Sequence, residues 1–354
     1  VISAEEIDVE DLIPVEDMVI TISHSGYIKR LPVDTYRSQH RGGRGVAGMG
    51  TKDEDFVEHL FVASTHDYIL FLTEKGHCHW LKVYQIPQGM RTSRGRPVVN
   101  LIYIGEDEKV SAIVPVKEFK EDEFLIQTTR RGQVKKTTLS AYSRPRRGGI
   151  IAMNILEDDA LVEAWISGGD QEIIIATKNG QAVRFKENEV RTTGRGSRGV
   201  RGISLDRDDV VIGMVLADDD TDLLTVSEQG YGKRTRISEY RLTRRGGKGV
   251  INIKTSDRNG GVVAIKAVRE SDEVMIISQD GILIRLPIHD VSSIGRNTQG
   301  VRLISLGKGD RVIDVARVDE GEEPSSETNG SVQSQNGHTE VHKSGEETGD
   351  SVNE

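Results

Sequence analysis

Apolar positions along this chain come in short runs that alternate with polar residues or cluster β-branched ones. Six such runs break at a polar turn ending in glycine and resume as a second run carrying lysine or arginine. They read "VITISHSGYIKRL", "ILFLTEKGHCHWL", "FLIQTTRRGQVKKTTL", "IIIATKNGQAVRF", "LLTVSEQGYGKRT" and "VMIISQDGILIRL". A period of two with β-branched enrichment predicts strands and not helices. The turn glycines, Gly26, Gly76, Gly132, Gly180, Gly230 and Gly281, are spaced by 50, 56, 48, 50 and 51 residues. A second series follows at Gly45, Gly95, Gly149, Gly199, Gly249 and Gly300, at offsets of 19, 19, 17, 19, 19 and 19. Dipeptides such as Asn179-Gly180 and Asp280-Gly281 between strand-like runs predict β-hairpins with type I′ turns. Later alternations such as "VVIGMVLA" and "VVAIKAV" complete about four strands per unit. Helix is expected only as short turns near "PVDTYRS" and "RISEYRL".

Six strand-only units of this length predict an all-β fold, a propeller-like disc of six four-stranded blades, because propellers use 4 to 8 such blades. An open solenoid fits less well, since its coils are usually much shorter. Blade boundaries are expected at about 15–64, 65–119, 120–169, 170–219, 220–271 and 272–318, between an acidic linker at 1–14 and an acidic disordered tail at 319–354.

Composition adds three constraints. The single cysteine, Cys78, leaves no disulfide partner within the chain, which fits a reducing cytosol. No apolar run approaches the roughly 18 residues of a membrane span, and the first residues, "VISAEEIDVEDL", are acidic where a signal peptide is basic. A soluble, cytoplasmic protein is expected, and the start at Val1 suggests a piece of a longer chain. The net charge of −9 hides a segregation: with residues 1–18 and 319–354 set aside, 46 bases face 39 acids. A basic body points to a polyanion partner, and the acidic tail is a candidate competitor for the same surface.

The repeat tests each tempting motif by its phase. Gly43-x-Gly45-x-x-Gly48 and Gly194-x-Gly196-x-x-Gly199 imitate a dinucleotide fingerprint, but that site needs a strand before it and a helix after it. In "HCHW", His77 and His79 share a strand face while Cys78 points away, and no fourth ligand is apparent for a metal. Tyr36, Tyr142 and Tyr240 share an offset with Val190 and Val291, so they read as packing residues and not nucleophiles. The acidic pairs Asp158-Asp159 and Asp208-Asp209, with the run Asp218 to Asp220, read as solvated turns.

The cations are in phase. One set lies around the second glycine: Arg41 and Arg44; Arg91, Arg94 and Arg96; Arg144, Arg146 and Arg147; Arg191, Arg195 and Arg198; Arg244, Arg245 and Lys248; and Arg296. The other follows the first glycine: Lys29 and Arg30; Lys82; Lys135 and Lys136; Arg184 and Lys186; Lys233, Arg234 and Arg236; and Arg285. One basic patch per blade would draw a positive stripe around the rim. Glycine admits backbone N–H groups to a phosphate, and guanidinium binds its oxygens in pairs. With aromatics at 5 % there is no series of stacking platforms, so double-stranded DNA is favoured over single strands. No cofactor is called for.

Within this frame "SQHRGGRGVAGMG" resembles the gyrase A box, Gln-x-Arg-Gly-Gly-x-Gly, of the C-terminal domain of bacterial DNA gyrase A. The box falls on Gln39, His40, Arg41, Gly42, Gly43, Arg44 and Gly45, with His40 where Arg or Lys is frequent. The resemblance runs from about Val15 to Val318 through "GYIKRLP", "DFVEHL", "GYGKRT", "RRGGKGV" and "TQGVRLI". "RRGGKG" echoes the box, with Thr243 in place of its glutamine. The resemblance implies a six-bladed β-pinwheel whose neighbouring blades exchange strands, and a box that joins the first and last blades. It implies right-handed wrapping of double-stranded DNA, which enables negative supercoiling with the rest of the gyrase A protein and with gyrase B. Strand cleavage and ATP hydrolysis would lie outside this chain. The rivals are the related C-terminal domain of topoisomerase IV, a propeller acting as a protein-interaction scaffold, and a propeller enzyme, for which no cluster of acids or metal ligands is apparent.

Overall fold

The repeats fold by a local rule that a computed structural model, describing residues 9–23, 25–32, 57–90, 93–105, 108–280 and 282–318, makes plain. In the fourth repeat, Glu172–Thr177 and Gln181–Lys186 pair antiparallel, with Ile173 opposite Phe185 and Ala176 opposite Ala182. The Gly180 N–H donates to the Thr177 carbonyl at 3.0 Å, and the Gln181 N–H donates to Thr177 Oγ1 at 3.2 Å. Gly180 has φ +82°, but among the described non-glycine residues Asp208 alone has positive φ. The turn is therefore not type I′, which would need Asn179 to be left-handed as well. It is the longer hairpin closed by a single left-handed glycine.

The hydroxyl that helps close it recurs: Ser23, Thr73, Thr129 and Ser278 accept the corresponding N–H of Tyr27, His77, Gln133 and Ile282. The inter-strand acids are not simply solvated. Asp159, Asp209 and Asp310 reach back to accept the N–H just before the turn glycine, from Arg131, Asn179 and Asp280. Asp209 and Asp310 are buried in doing so.

The first five hairpins are each extended on both sides. On one side a third strand, Val211–Ala217 in the fourth repeat, pairs with the first strand, with a register shift between Ala176 and Thr177. On the other, a two-residue strand arrives from the following repeat: Val250–Ile251 pairs with Ala182 and Gln181. Five four-stranded sheets are built this way, and the sixth has three strands among the described residues. Blades thus exchange strands, as the resemblance implied. From the second blade to the sixth the third strands of successive blades contact one another, and the last, Val312–Val318, contacts the first, Val57–Ser64, so the sheets form a ring. The core is divided into layers between blades: one of them packs Ile126 and Val134 of the third repeat against Ile173, Ile175, Val183 and Phe185 of the fourth. Tyr142, Val190, Tyr240 and Val291 are buried in such layers; Tyr36 lies outside the described residues.

The second glycine belongs to the strand exchange. Gly95, Gly149, Gly199, Gly249 and Gly300 all have positive φ, from +75° to +86°. A Cβ on Gly95 would stand 2.5 Å from the Ile28 carbonyl, and one on Gly249 would collide with the Ala182 carbonyl. The backbone comes this close because the exchanged strand begins here.

Several cations on the second strand face the joint and fasten it, while Lys186, Arg236 and Arg285 are exposed. Arg30 Nε donates to the Ile86 carbonyl at 2.7 Å, Arg184 Nη1 to that of Tyr240 at 3.2 Å, and Arg234 Nε to that of Val291 at 2.9 Å. Trp80 Nε1 makes the equivalent bond to the Tyr142 carbonyl at 2.8 Å. Every acceptor lies ten residues beyond the next repeat's turn glycine, so the phase of these cations is the phase of the joint. Lys136 pairs with Glu187 at 2.7 Å, both almost fully buried, and Arg285 pairs with Glu273. Lys29, Lys135 and Lys233 are each 0 % exposed. They cannot reach a partner outside the fold, because an ammonium at that depth must spend its donors within the protein.

Two predictions follow from the joints. Gly249→Ala should destabilise the protein by about 2 kcal/mol or more in denaturant titration, whereas Gly196→Ala, with open space around its Cβ, should stay within about 0.5 kcal/mol. Burial lowers the Lys135 pKa to about 7, helped by Arg195, and lowers Lys29 and Lys233 to about 8. Unfolded lysine keeps its proton to about pH 10.4, so the unfolded chain binds more protons across this window and stability should rise between pH 7 and 9. Above that, Cys78, whose pKa burial raises, works in the opposite direction. The triple variant Lys29→Met, Lys135→Met, Lys233→Met should lose the rise in denaturation midpoint; a wild-type midpoint that is flat over the window would contradict the account.

Candidate nucleic-acid interface

The inner edge of the sheets is the third strand, which from the second blade on meets the third strand of the next; in the five four-stranded sheets the exchanged strand therefore marks the outer edge. The segment leading to that strand runs beside the second strand of the preceding blade. The N–H groups of Gly89, Thr193, Thr243 and Ile294 donate to the carbonyls of Arg30, Lys136, Arg184 and Arg234 at 2.9 to 3.0 Å. Beyond this anchor the chain turns as an irregular loop and enters the exchanged strand at the second glycine. Gly194-x-Gly196-x-x-Gly199 is one of these loops: it leads into the strand Val200–Arg201 and no helix follows, so the dinucleotide geometry is absent there.

The loops carry a second group of cations. Arg96, Arg144, Arg146, Arg147, Arg191, Arg198, Arg244 and Lys248 are exposed. Arg94 is half-buried, with its guanidinium 3.8 Å from the Tyr27 ring centre. Arg195 is also half-buried. Arg245 donates through Nε to the Glu189 carbonyl at 2.9 Å, and Arg296 through Nη1 to that of Ile251 at 2.8 Å. Lys248 lies 3.0 Å from Asp206 with both side chains mostly exposed, a pairing worth little in water. Arg41, Arg44, Arg91 and the box residues Gln39, His40, Gly42, Gly43 and Gly45 lie outside the described residues.

Two further cations lie on the outer edge. Arg201 and Arg302 are exposed on the exchanged strands. Arg302 Nη2 donates to the Tyr231 hydroxyl at 3.0 Å. Hydrogen bonds from Arg302 and Arg258 hold the Tyr231 phenol below its ordinary pKa. The signal that could have found Arg201 and Arg302 is their place two residues after the second glycine.

The tempting metal cluster is resolved by its partners. His77 Nδ1 lies 2.7 Å from Glu108. His79 is buried, with its ring against Gly149 of the next repeat, and burial lowers its pKa. Chemically, the outer edge offers exposed guanidinium and ammonium groups at the same structural position in successive blades. That arrangement suits repeated phosphate contacts along a polyanion.

Comparison with known proteins agrees with the geometry. The family described as "DNA gyrase C-terminal domain, beta-propeller" matches six successive segments, 17–64, 67–117, 122–164, 171–218, 221–269 and 272–319. The DNA gyrase A protein of Halalkalibacterium halodurans is 56 % identical over 310 residues, covering 88 % of this chain and 37 % of that protein. Its counterpart in Clostridium acetobutylicum is 46 % identical over 313 residues, covering 88 % and 38 %. The chain thus spans a little over a third of the length of these relatives. Among solved structures, a DNA gyrase A C-terminal domain superposes with a TM-score of 0.70 at 28 % identity, covering 85 % of this chain and 99 % of that one. A C-terminal domain of DNA topoisomerase IV superposes with 0.74 at 24 % identity, covering 87 % and 94 %, which speaks for the fold alone. With its six repeats, exchanged strands and basic outer loops each in place, the chain belongs to the DNA gyrase C-terminal domain family of β-propellers.

Proposed function

We propose that this chain binds double-stranded DNA without sequence preference along the outer edge of its ring, and bends it into a right-handed wrap. The observation that carries the reading is the recurrence of exposed arginines and lysines in the second-glycine loops of successive blades, from Arg96 to Lys248. The second to fifth blades each offer phosphate contacts, and the ring's curvature leads a duplex from one contact to the next. Smooth bending of 20 to 30 base pairs costs several kcal/mol by elastic estimates, and counterion release at many phosphates offsets it. Specificity is then for backbone and deformability, as in other architectural wrapping.

In this reading the wrap presents a second duplex segment for strand passage and so enables negative supercoiling by gyrase, with the rest of the gyrase A protein and with gyrase B, in the cytoplasm. The chain is a non-catalytic domain, and no group in the outer loops is assigned a bond-breaking role. The box, Gln39 to Gly45, is proposed to join the first and last blades and to set the path of the wrap. The ranges 15–318 for the pinwheel and 319–354 for an acidic tail remain part of the proposal.

The test is the linking number left on a circular plasmid that is relaxed and sealed by a nicking-closing enzyme in the presence of the chain. A positive shift that vanishes at high salt is expected, with log affinity falling steeply and linearly against log salt. Arg191→Ala with Arg198→Ala should reduce the shift more than it reduces bulk affinity, because the other loops remain. Binding without any shift would leave a basic propeller that holds DNA and does not wrap it.

A further inference from the structure

Three turn-plus-three positions of the repeats, the first, third and fifth, place a lysine in the joint, and two of these reach the loops that follow. Lys29 Nζ donates to the carbonyls of Met90 and Ser93 at 3.1 and 2.8 Å. Lys135 Nζ donates to the carbonyl of Arg195 at 2.7 Å and to that of Ala152. Met90, Ser93 and Arg195 all lie in irregular loop, where a carbonyl facing inward has no sheet partner to satisfy it.

We propose that Lys29 and Lys135 are positioning residues for DNA binding: each holds, from inside the joint, the arginine-bearing loop of the next repeat in its folded conformation, which in the fourth repeat leaves Arg191 and Arg198 facing outward. The proposal rests on the DNA-binding reading above and adds what shapes its contact surface. Packing alone does not call for a lysine here, because Val183 occupies the same place in the fourth repeat and is just as buried, at 1 % exposed. Burying an ammonium costs free energy that an apolar residue would not incur. The three N–H groups of the ammonium, or the two of the neutral amine, are enough for two carbonyls.

The loop that follows Val183 shows what replaces the lysine. In the fifth repeat the loop is fastened by its own arginine: Arg245 donates through Nε to the Glu189 carbonyl at 2.9 Å and through Nη1 to the Arg201 carbonyl at 3.0 Å. Its guanidinium is spent on the protein. In the fourth repeat, held from inside by Lys135, Arg191 and Arg198 stand exposed. The internal anchor thus does from within the joint what Arg245 does for the fifth-repeat loop, where Arg244 and Lys248 stay exposed.

The experiment compares the full chain with its Lys135→Met variant, which keeps an unbranched side chain and removes the donors. Without DNA, amide exchange over residues 193–199 should quicken at least tenfold in the variant, with the loop at 244–249 unchanged. With a duplex bound, hydroxyl-radical protection should be lost over the segment facing the fourth repeat and kept elsewhere, while bulk affinity falls only a few-fold. A folded variant with unchanged loop exchange would overturn the proposal and leave Lys135 as core filling. If the wild-type chain gives no footprint, the DNA reading fails, and the exchange comparison still decides the positioning role. Should the variant not fold, Nζ proton exchange in the wild type decides: slowly exchanging ammonium protons at Lys29 and Lys135 support the anchor, and exchange as fast as at surface lysines overturns it.

Discussion

The strand exchanged between neighbouring blades is the constraint on which the rest of the structure depends. A two-residue strand is too short to hold by itself. It survives because a left-handed glycine brings its backbone against the preceding blade, and because a side chain of that blade bonds a carbonyl of the incoming repeat. The apolar layers lie between blades, so the exchange also fixes the register in which those layers meet. Stability then accrues along the array, with each repeat completing its neighbour.

The same joint organises the chemistry of the outer edge. Basic residues divide by one criterion, whether their donors are used within the fold. Arg184 and Arg234 lie along the second strand with carbonyl and carboxylate partners, and they serve the architecture. Arg198, Arg244 and Lys248 lie further on, past the anchor, and stand in solvent. Cations of one period therefore meet different environments. Lys29 and Lys135 connect them, since their ammonium groups are buried in the joint and bonded to the loop.

The aspartates show the same economy at the hairpins. Asp159, Asp209 and Asp310 satisfy the N–H that precedes the turn glycine, and a Ser or Thr hydroxyl satisfies the N–H that follows it. Tight turns leave these donors unpaired by the ladder. A side chain from the start of the third strand supplies the acceptor, so turn and third strand are set together.

The sequence by itself determined the fold class, the number of repeats and the position of each hairpin, because those depend on local alternation and on glycine's tolerance of positive φ, both written in consecutive residues. It also placed the cations in phase. It could not say why they are in phase: Lys135 and Arg191 look alike in a string, and their fates depend on carbonyls that approach from a repeat some 60 residues away. The turn type was misjudged for a related reason, since Asn179 is compatible with either geometry and the Thr177 hydroxyl and the Asp209 carboxylate select between them. Only the tertiary structure decided which charges are desolvated. Burial is a property of what packs against a side chain, and in this ring the packing partner of every blade is the next one.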